Sequence, residues 1–247
     1  MKLSIIVPVL NSHEVVRRQM LHWQSMPIPA EVEVLYMDDG SAPPLLASTV
    51  DLVRVIPTND FRPWTWAIAR NSGAKIAQGD YLLMTDLDYI IPRQAIEDAL
   101  AFTGDYMGFR REFGVLDEDG VFTQDMPTLL QYGLLPERAA TRGVQMPPHP
   151  NNFVIRKDLF FEMGCYREDR VGREYPQGED NLFKGTRAQF REAGRLKESI
   201  YRPTLYMFPN GQYCGDVDFN PYGLFHALSR KTYANYWYTH PREYHAG

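Results

Sequence analysis

Four apolar runs of strand length, each followed by helix-forming or turn-forming sequence, constrain the first part of this chain more than any other feature. Leu3–Val9 is an apolar run suited to a strand buried on both faces. Residues 31–37 and 52–56 offer a second and a third strand, and residues 81–85 a fourth. Between them the sequence predicts a helix over residues 15–25, capped by Asn11 with Glu14 three residues on, and ended before Pro27. Another helix is expected over 64–77, with Gly79 closing it, and a third over 92–102, opened by Pro92. Strands alternating with helices in this way call for an α/β fold, with a mostly parallel central sheet and helices on both faces.

The pattern changes after residue 103. Residues 106–113 and 121–123 flank Asp117-Glu118-Asp119-Gly120 and read as a hairpin. Five prolines fall between 125 and 150, which predicts a loop-rich segment with one short helix. A short strand over 152–155, a short helix over 158–163 and a longer helix over 180–193, closed by Gly194, follow. From Tyr201 the chain is rich in Tyr, Phe, Trp and His, with poor apolar periodicity. With no internal repeat, we expect a single domain over 1–247. It comprises a ligand-binding half (1–103), a smaller antiparallel half (104–200) and an aromatic-rich carboxyl-terminal segment (201–247).

Charge narrows the partners. The 247 residues carry 26 basic against 31 acidic side chains, a net −5. Neither half is basic, so charge makes no general case for nucleic-acid binding, although a local basic face stays open. Residues 1–103 hold 8 Lys and Arg against 12 Asp and Glu, an excess that suits a site for a metal cation. No stretch approaches the roughly 20 apolar residues of a transmembrane helix. The apolar opening is short, interrupted by Pro8 and lacks a small-residue cleavage pattern, so a cytoplasmic protein is expected. Two cysteines, Cys165 and Cys214, give neither a zinc spacing nor a disulfide framework.

The chemistry concentrates in three acidic clusters. Asp86-Leu87-Asp88 follows an apolar strand, at the carboxyl end where open α/β sheets bind ligands. Carboxylates at i and i+2 face one side of an extended chain and repel unless a cation or a proton lies between them. Mg²⁺ and Mn²⁺ take oxygen ligands and share them with substrate phosphates. A solvated turn is the plain alternative. Asp38-Asp39-Gly40-Ser41 is a second acidic turn after a second strand, and alone reads as an ordinary Asp/Gly turn. Arg70-Asn71 offers a bidentate cation for phosphate or hydrogen bonds to a base, or is an exposed helical Arg. Gly178-Glu179-Asp180-Asn181 opens a helix, where a carboxylate either caps the helix or serves as a base within reach of a hydroxyl.

In order along the chain, these segments resemble a known family. They are Ser4-Ile5-Ile6-Val7-Pro8-Val9, Asp38-Asp39-Gly40-Ser41, Ala69-Arg70-Asn71-Ser72-Gly73 through Gly79-Asp80-Tyr81, and Asp86-Leu87-Asp88. Asn152-Phe153-Val154-Ile155-Arg156-Lys157, Met163-Gly164-Cys165-Tyr166-Arg167-Glu168 and Gly178-Glu179-Asp180 complete the set. Together they resemble the family-2 glycosyltransferases of the A-type, Rossmann-like fold, over roughly residues 3–200. Cys165 departs from the family where a second Gly is common, and Asn181 where an acidic residue often follows.

The resemblance implies an inverting transfer of a sugar from a nucleotide diphosphate sugar, a UDP-sugar first among them, to an acceptor hydroxyl whose identity stays open. It implies a nucleotide-sugar site of Pro8, Asp39, Arg70, Asp86, Asp88 and Glu179. Asp39 would contact the base, Arg70 the base and phosphate, Asp86 the ribose and Asp88 a Mn²⁺ or Mg²⁺ ion. Asp180 would be the general base. The family often supplies a late His to the metal, and His226 is the residue expected to do so. Two rivals remain. A nucleotidyltransferase acting on a sugar phosphate usually carries a Gly-rich, basic loop near the first strand, and Pro8-Val9-Leu10-Asn11-Ser12-His13 is neither. A degenerate, non-catalytic nucleotide-sugar-binding module is disfavoured by the joint presence of Asp39, Asp86, Asp88 and Asp180.

Overall fold

The computed structural model describes residues 2–10, 12–60, 62, 65–134, 136–170 and 179–209. A six-stranded sheet carries the first half. Its parallel part comprises β1 (Leu3–Val9), β2 (Val32–Asp38), β3 (Val53–Pro57) and β4 (Tyr81–Met84), in the spatial order β3-β2-β1-β4. Every residue of β1 and β2 is buried, as expected for strands covered on both faces, with buried Glu33 satisfied by Ser4 and Arg54. The chain steps outward from β1 to β3, then crosses back to lay β4 on the other side of β1. That reversal opens a crevice between the carboxyl ends of β1 and β4, the usual ligand site of such sheets.

Helix α1 (His13–Ser25) packs one face inward through Val15, Val16, Gln19 and Trp23. A buried polar chain fixes it. Trp23 Nε1 donates to the Tyr36 hydroxyl at 2.8 Å, and that hydroxyl donates to Gln19 Oε1 at 2.5 Å. The Gln19 amide then donates to the carbonyls of Leu87 and Tyr89, which pins the turn after β4. Helix α2 (Trp66–Ile76) lies on the opposite face, over Ile6, Leu35 and Met37. Short β5 (Tyr89–Ile90) and helix α3 (Arg93–Ala101), with Pro92 at its amino end, follow.

Two helix-end expectations need correction. Helix α1 starts at His13, and the Ser12 hydroxyl donates back to the Leu10 carbonyl at 2.8 Å, while Glu14 pairs with Arg17 and Arg18. Those arginines compete for the carboxylate that a capping box would need. Asn11 lies outside the described residues. Gly79 does not cap α2, which ends at Ile76 with the Ala77 N–H bonded to Gly73 O. A Cβ at Gly79 would sit 2.6 Å from the Ser4 backbone nitrogen, so close approach to β1 is what demands glycine there.

The stretch 106–113 is not one strand of a hairpin. It divides at buried Phe109 into β6 (Tyr106–Gly108) and β7 (Arg110–Phe113). Strand β6 edges the large sheet, beside antiparallel β11 (Phe153–Arg156), which itself pairs with β4. Strand β7 joins a second sheet, of order β10-β7-β12-β5, with β10 (Gln145–Met146) and β12 (Thr204–Met207). The predicted turn at 117–120 instead links β8 (Val115–Leu116) to β9 (Phe122–Thr123). Two short helices, α4 (Met126–Gln131) and α5 (Pro136–Arg142), occupy the proline-rich segment where one was expected. Helix α6 (Lys157–Glu162) and helix α7 (Glu179–Glu192) complete the helical layer, and Gly194 follows α7 at φ +70°. Among the described residues no helix is long and apolar enough to cross a membrane.

The close seat of α2 gives a stability test. A Cβ on Gly73 would meet Ile6 Cγ2 at 2.6 Å and Met37 Cγ at 3.2 Å. Alanine gains up to about 1 kcal/mol of helix propensity over glycine. Overpacking against a stiff β-branched side chain in a fully buried strand costs more, about 1–3 kcal/mol. Gly73→Ala is therefore expected to lower the urea midpoint of unfolding, and an unchanged or raised midpoint would show that α2 can slide away freely.

Candidate active site

The carboxyl edge of the parallel strands gathers the acidic clusters, and each aspartate there has a distinct environment. Asp38 is structural: its Oδ1 accepts from the Ser41 N–H and its Oδ2 from the Leu45 N–H, both at 2.9 Å. Asp39 is 1% exposed, and its N–H donates to the Val9 carbonyl at 2.8 Å. Its Oδ1 accepts from the Thr58 hydroxyl, while its buried Oδ2 has no partner among the described residues. Burial pushes the Asp39 carboxyl up to about 7, against the pull of Thr65 and Thr58. A buried carboxylate oxygen left open at a crevice is a receptor for an N–H donor. Pro8 lies buried within β1, paired in register with Met37.

Arg70, on the inner face of α2, is 2% exposed. Its Nη2 donates to Asp86, its Nη1 to Glu179 Oε1 at 3.2 Å, and its guanidinium lies 5.3 Å from the Tyr166 ring centroid. Burial alone would favour its neutral form. The Asp86 charge, with Tyr166 and Glu179, outweighs that, and Arg70 stays charged. The solvated-helix reading of this arginine is thereby excluded. Its buried Nε has no partner among the described residues. Asn71, the next residue, grips Tyr166 in both directions: Nδ2 donates to the Tyr166 carbonyl at 2.8 Å, and Oδ1 accepts from its N–H at 3.0 Å.

Asp86 and Asp88 sit at the end of β4. Asp86 Oδ2 is 3.6 Å from His149 Nδ1. Asp88 is half-buried, its carboxyl raised to about 8 by burial and by the Asp86 charge, with Arg111 and Arg70 opposing. Its backbone carbonyl accepts from the Phe208 N–H at 2.9 Å, so the residue just after β12 lies beside the acidic pair. Asp180, on the first turn of α7, accepts from the Asn181 N–H at 2.7 Å through Oδ1. Burial raises the Glu179 carboxyl, against Arg70. Among the described residues no three His, Cys, Asp or Glu side chains converge as a metal cage. Two carboxylates with a raised Asp88 still suit Mg²⁺ or Mn²⁺, which is commonly held by one or two carboxylates together with substrate phosphates. His226 lies outside the described residues.

Two residues at this site, His149 and Arg111, escaped the sequence reading, and a third, Asn152, entered it only as part of a quoted segment. His149 arrives from the run Pro147-Pro148-His149-Pro150, and its ring lies 6.4 Å from that of Tyr89. Burial lowers its pKa although the Asp86 and Asp180 charges oppose. Arg111, from β7, donates to the Tyr89 hydroxyl and, at 2.5 Å, to the Pro147 carbonyl, so it braces the loop that carries His149. Asn152 Oδ1 accepts from the Thr85 hydroxyl at 3.0 Å, and its buried Nδ2 has no partner among the described residues. A histidine set between prolines, whose φ angles are fixed, was the one available signal.

A parallel sheet with an antiparallel edge and an acidic rim at its topological reversal is the architecture of the A-type glycosyltransferases. The chain matches the family described as Glycosyl transferase family 2 over residues 4–160, and it belongs to that family. No curated protein sequence matches it. Among solved structures it is similar to TarS of S. aureus: 20% identical, with a TM-score of 0.53, over 84% of this chain and 36% of that one. It is likewise similar to TarS 1-349 in complex with UDP-GlcNAc, at 21% identity and a TM-score of 0.51, over 83% of this chain and 58% of that one. The same TarS form in complex with UDP matches at 20% identity and a TM-score of 0.51, over 100% of this chain and 70% of that one. The chain thus spans about a third of the longer TarS structure, and these likenesses concern the fold.

The buried Asp39 carboxyl makes a pH prediction. Its folded pKa of about 7 exceeds the ordinary unfolded value of about 3.9, so the folded state holds a proton that the unfolded state has released. That contribution is full below pH 4 and is lost as the pH rises through 7. Asp39→Asn removes the titration, so the melting temperature of the variant minus that of the parent should climb between pH 4 and 8. The shift corresponds to at most about 4 kcal/mol. A flat difference across this range would mean that Asp39 ionises normally in the folded protein.

Proposed function

We propose that this chain is an inverting, metal-dependent glycosyltransferase that moves a sugar from a nucleoside diphosphate sugar, with uridine as the base, to an acceptor hydroxyl. The observation that carries the reading is the joining of two acidic elements through one guanidinium. Arg70 binds Asp86 at the donor edge and Glu179 at the head of the helix that bears Asp180. The UDP and UDP-GlcNAc complexes of TarS support the donor class. Residues 1–103 and 104–200 then act as one catalytic unit.

The parts divide the work. Asp39, with an open Oδ2, accepts the N–H of the base. Asp86 holds the ribose while Arg70 keeps it in place. Asp88, with the diphosphate oxygens, would hold Mn²⁺ or Mg²⁺, and His226 is the further ligand we assign. The ion supplies Lewis acidity and charge neutralisation for a leaving diphosphate. Asp180 takes the acceptor hydroxyl proton as the new glycosidic bond forms, on the face opposite the leaving group. A positioned base of this kind is worth about 10²–10⁴-fold in rate. One displacement assisted by one base inverts the anomeric carbon.

Two measurements test this. Calorimetry should find UDP binding in Mn²⁺ and little in EDTA, because without the ion no cation bridges Asp88 to the diphosphate oxygens; equal affinity in both removes the metal. Asp180→Asn should lose sugar transfer by at least about 10²-fold while keeping UDP and Mn²⁺ binding, since the amide preserves size but accepts no proton. Parental turnover in that variant, or a product of retained configuration, would show that Asp180 is not the base.

A further inference from the structure

The family resemblance assigns Glu179 to the donor site, but its surroundings describe a different task. Its side chain is 13% exposed and paired with Arg70. Glu179 opens α7, and Phe183 lies four residues on, so the two occupy one face of the helix. That face is the docking face. The Phe183 ring stacks on Tyr166 at 4.7 Å between centroids and on Phe153 at 5.3 Å. Tyr166 is in turn clasped by Asn71, and its hydroxyl donates to Asn151 Oδ1 at 3.0 Å. Asp180 is about 100° further round the helix from Glu179.

The first turn of α7 is therefore seated at two points. Phe183 enters an aromatic stack, and Glu179 closes on a guanidinium that also holds Asp86 and lies over the same Tyr166 ring. Aromatic stacking alone leaves a helix free to rock about the stack. An ion pair buried on a fixed cation removes that freedom, because breaking it leaves an uncompensated charge.

We propose that Glu179 is a positioning residue: through Arg70 it ties the amino end of α7 to Asp86, and so sets Asp180 against the donor. This rests on the reading of Asp180 as the base. The guanidinium that steadies the donor-edge carboxylate also aims the acceptor-side base. On this assignment Glu179 acts through Arg70 and Asp180, so its removal falls chiefly on the chemical step. A misplacement of the order of 1 Å costs such a step about 10²-fold.

The test compares Glu179→Ala and Glu179→Gln with the parent, by calorimetry with UDP and Mn²⁺ and by transfer kinetics from UDP-GlcNAc. The alanine variant should lose roughly 10–100-fold in kcat, with UDP affinity and donor KM within about twofold of the parent. Glutamine keeps an oxygen for Arg70 Nη1 and should recover most of the kcat. If alanine weakens UDP by the same factor as kcat, Glu179 contacts the donor directly and the proposal falls. Parental kcat in the alanine variant overturns it equally. A parent that binds no UDP would instead refute the functional reading. The tie is then judged on melting temperatures of Asp86→Ala, Glu179→Ala and the double variant, each of which removes one carboxylate or both from Arg70. Non-additive shifts support a shared cation, and additive ones overturn it.

Discussion

The structure turns on a guanidinium that has no business being buried without company. Arg70 is 2% exposed, and a desolvated cation costs several kcal/mol unless charges of opposite sign surround it. Asp86 and Glu179 provide them, and Tyr166 offers its ring face. Those partners come from the end of β4, the head of α7 and the segment after α6. A single buried charge thereby forces three separate stretches to one point. Removing either carboxylate leaves the cation half-compensated, so the elements at this point are energetically coupled and not merely adjacent.

Around that point the polar economy is deliberately incomplete. Buried polar atoms in folded proteins nearly always find partners. Here Asp39 Oδ2 just after β2, Arg70 Nε on α2 and Asn152 Nδ2 just before β11 have none among the described residues. By contrast the Gln19–Tyr36–Trp23 chain, a few residues from the carboxyl edge, is satisfied by partners at 2.5–3.1 Å. The satisfied chain fixes the turn at Leu87 and Tyr89, and the unsatisfied atoms flank it. A rigid support under open valences suits a site whose missing partners are polar.

The parallel strands were legible from short, mostly apolar segments bounded by turn signals: Leu3–Val9 was placed to the residue, and the others within one residue at either end. The acidic turns were legible as turns because Asp and Gly clusters directly follow the apolar segments of β2 and β4. What failed has a common physical origin. Residues 106–113 are apolar enough for one long strand, and nothing local says that the chain switches sheets at Phe109. Thr204–Met207 alternates weakly in burial, and its place beside β7 and β5 depends on partners about 94 and 116 residues away. Gly79 was read as a cap because local sequence cannot show that Ser4 lies against it. His149 and Arg111 were missed for the same reason, since each acquires its meaning only from Asp86 or Tyr89 across the site.

The second sheet then explains the charge distribution. The first half of the sequence carries an excess of acids, and taken alone its carboxyl edge would repel any diphosphate. Strand β7 delivers Arg111 to Tyr89, next to Asp88, and braces the loop that sets His149 beside Asp86. Arg111 opposes the rise in the Asp88 pKa, so cationic groups from the second half temper the acidic rim of the first. They do not neutralise it: burial and Asp86 still hold Asp88 near 8. That residual imbalance is what a bound divalent ion would correct, because a cation at Asp88 both releases the proton and supplies charge for phosphate oxygens. The antiparallel half is therefore part of the electrostatics of the acidic rim, and the two halves make chemical sense only together.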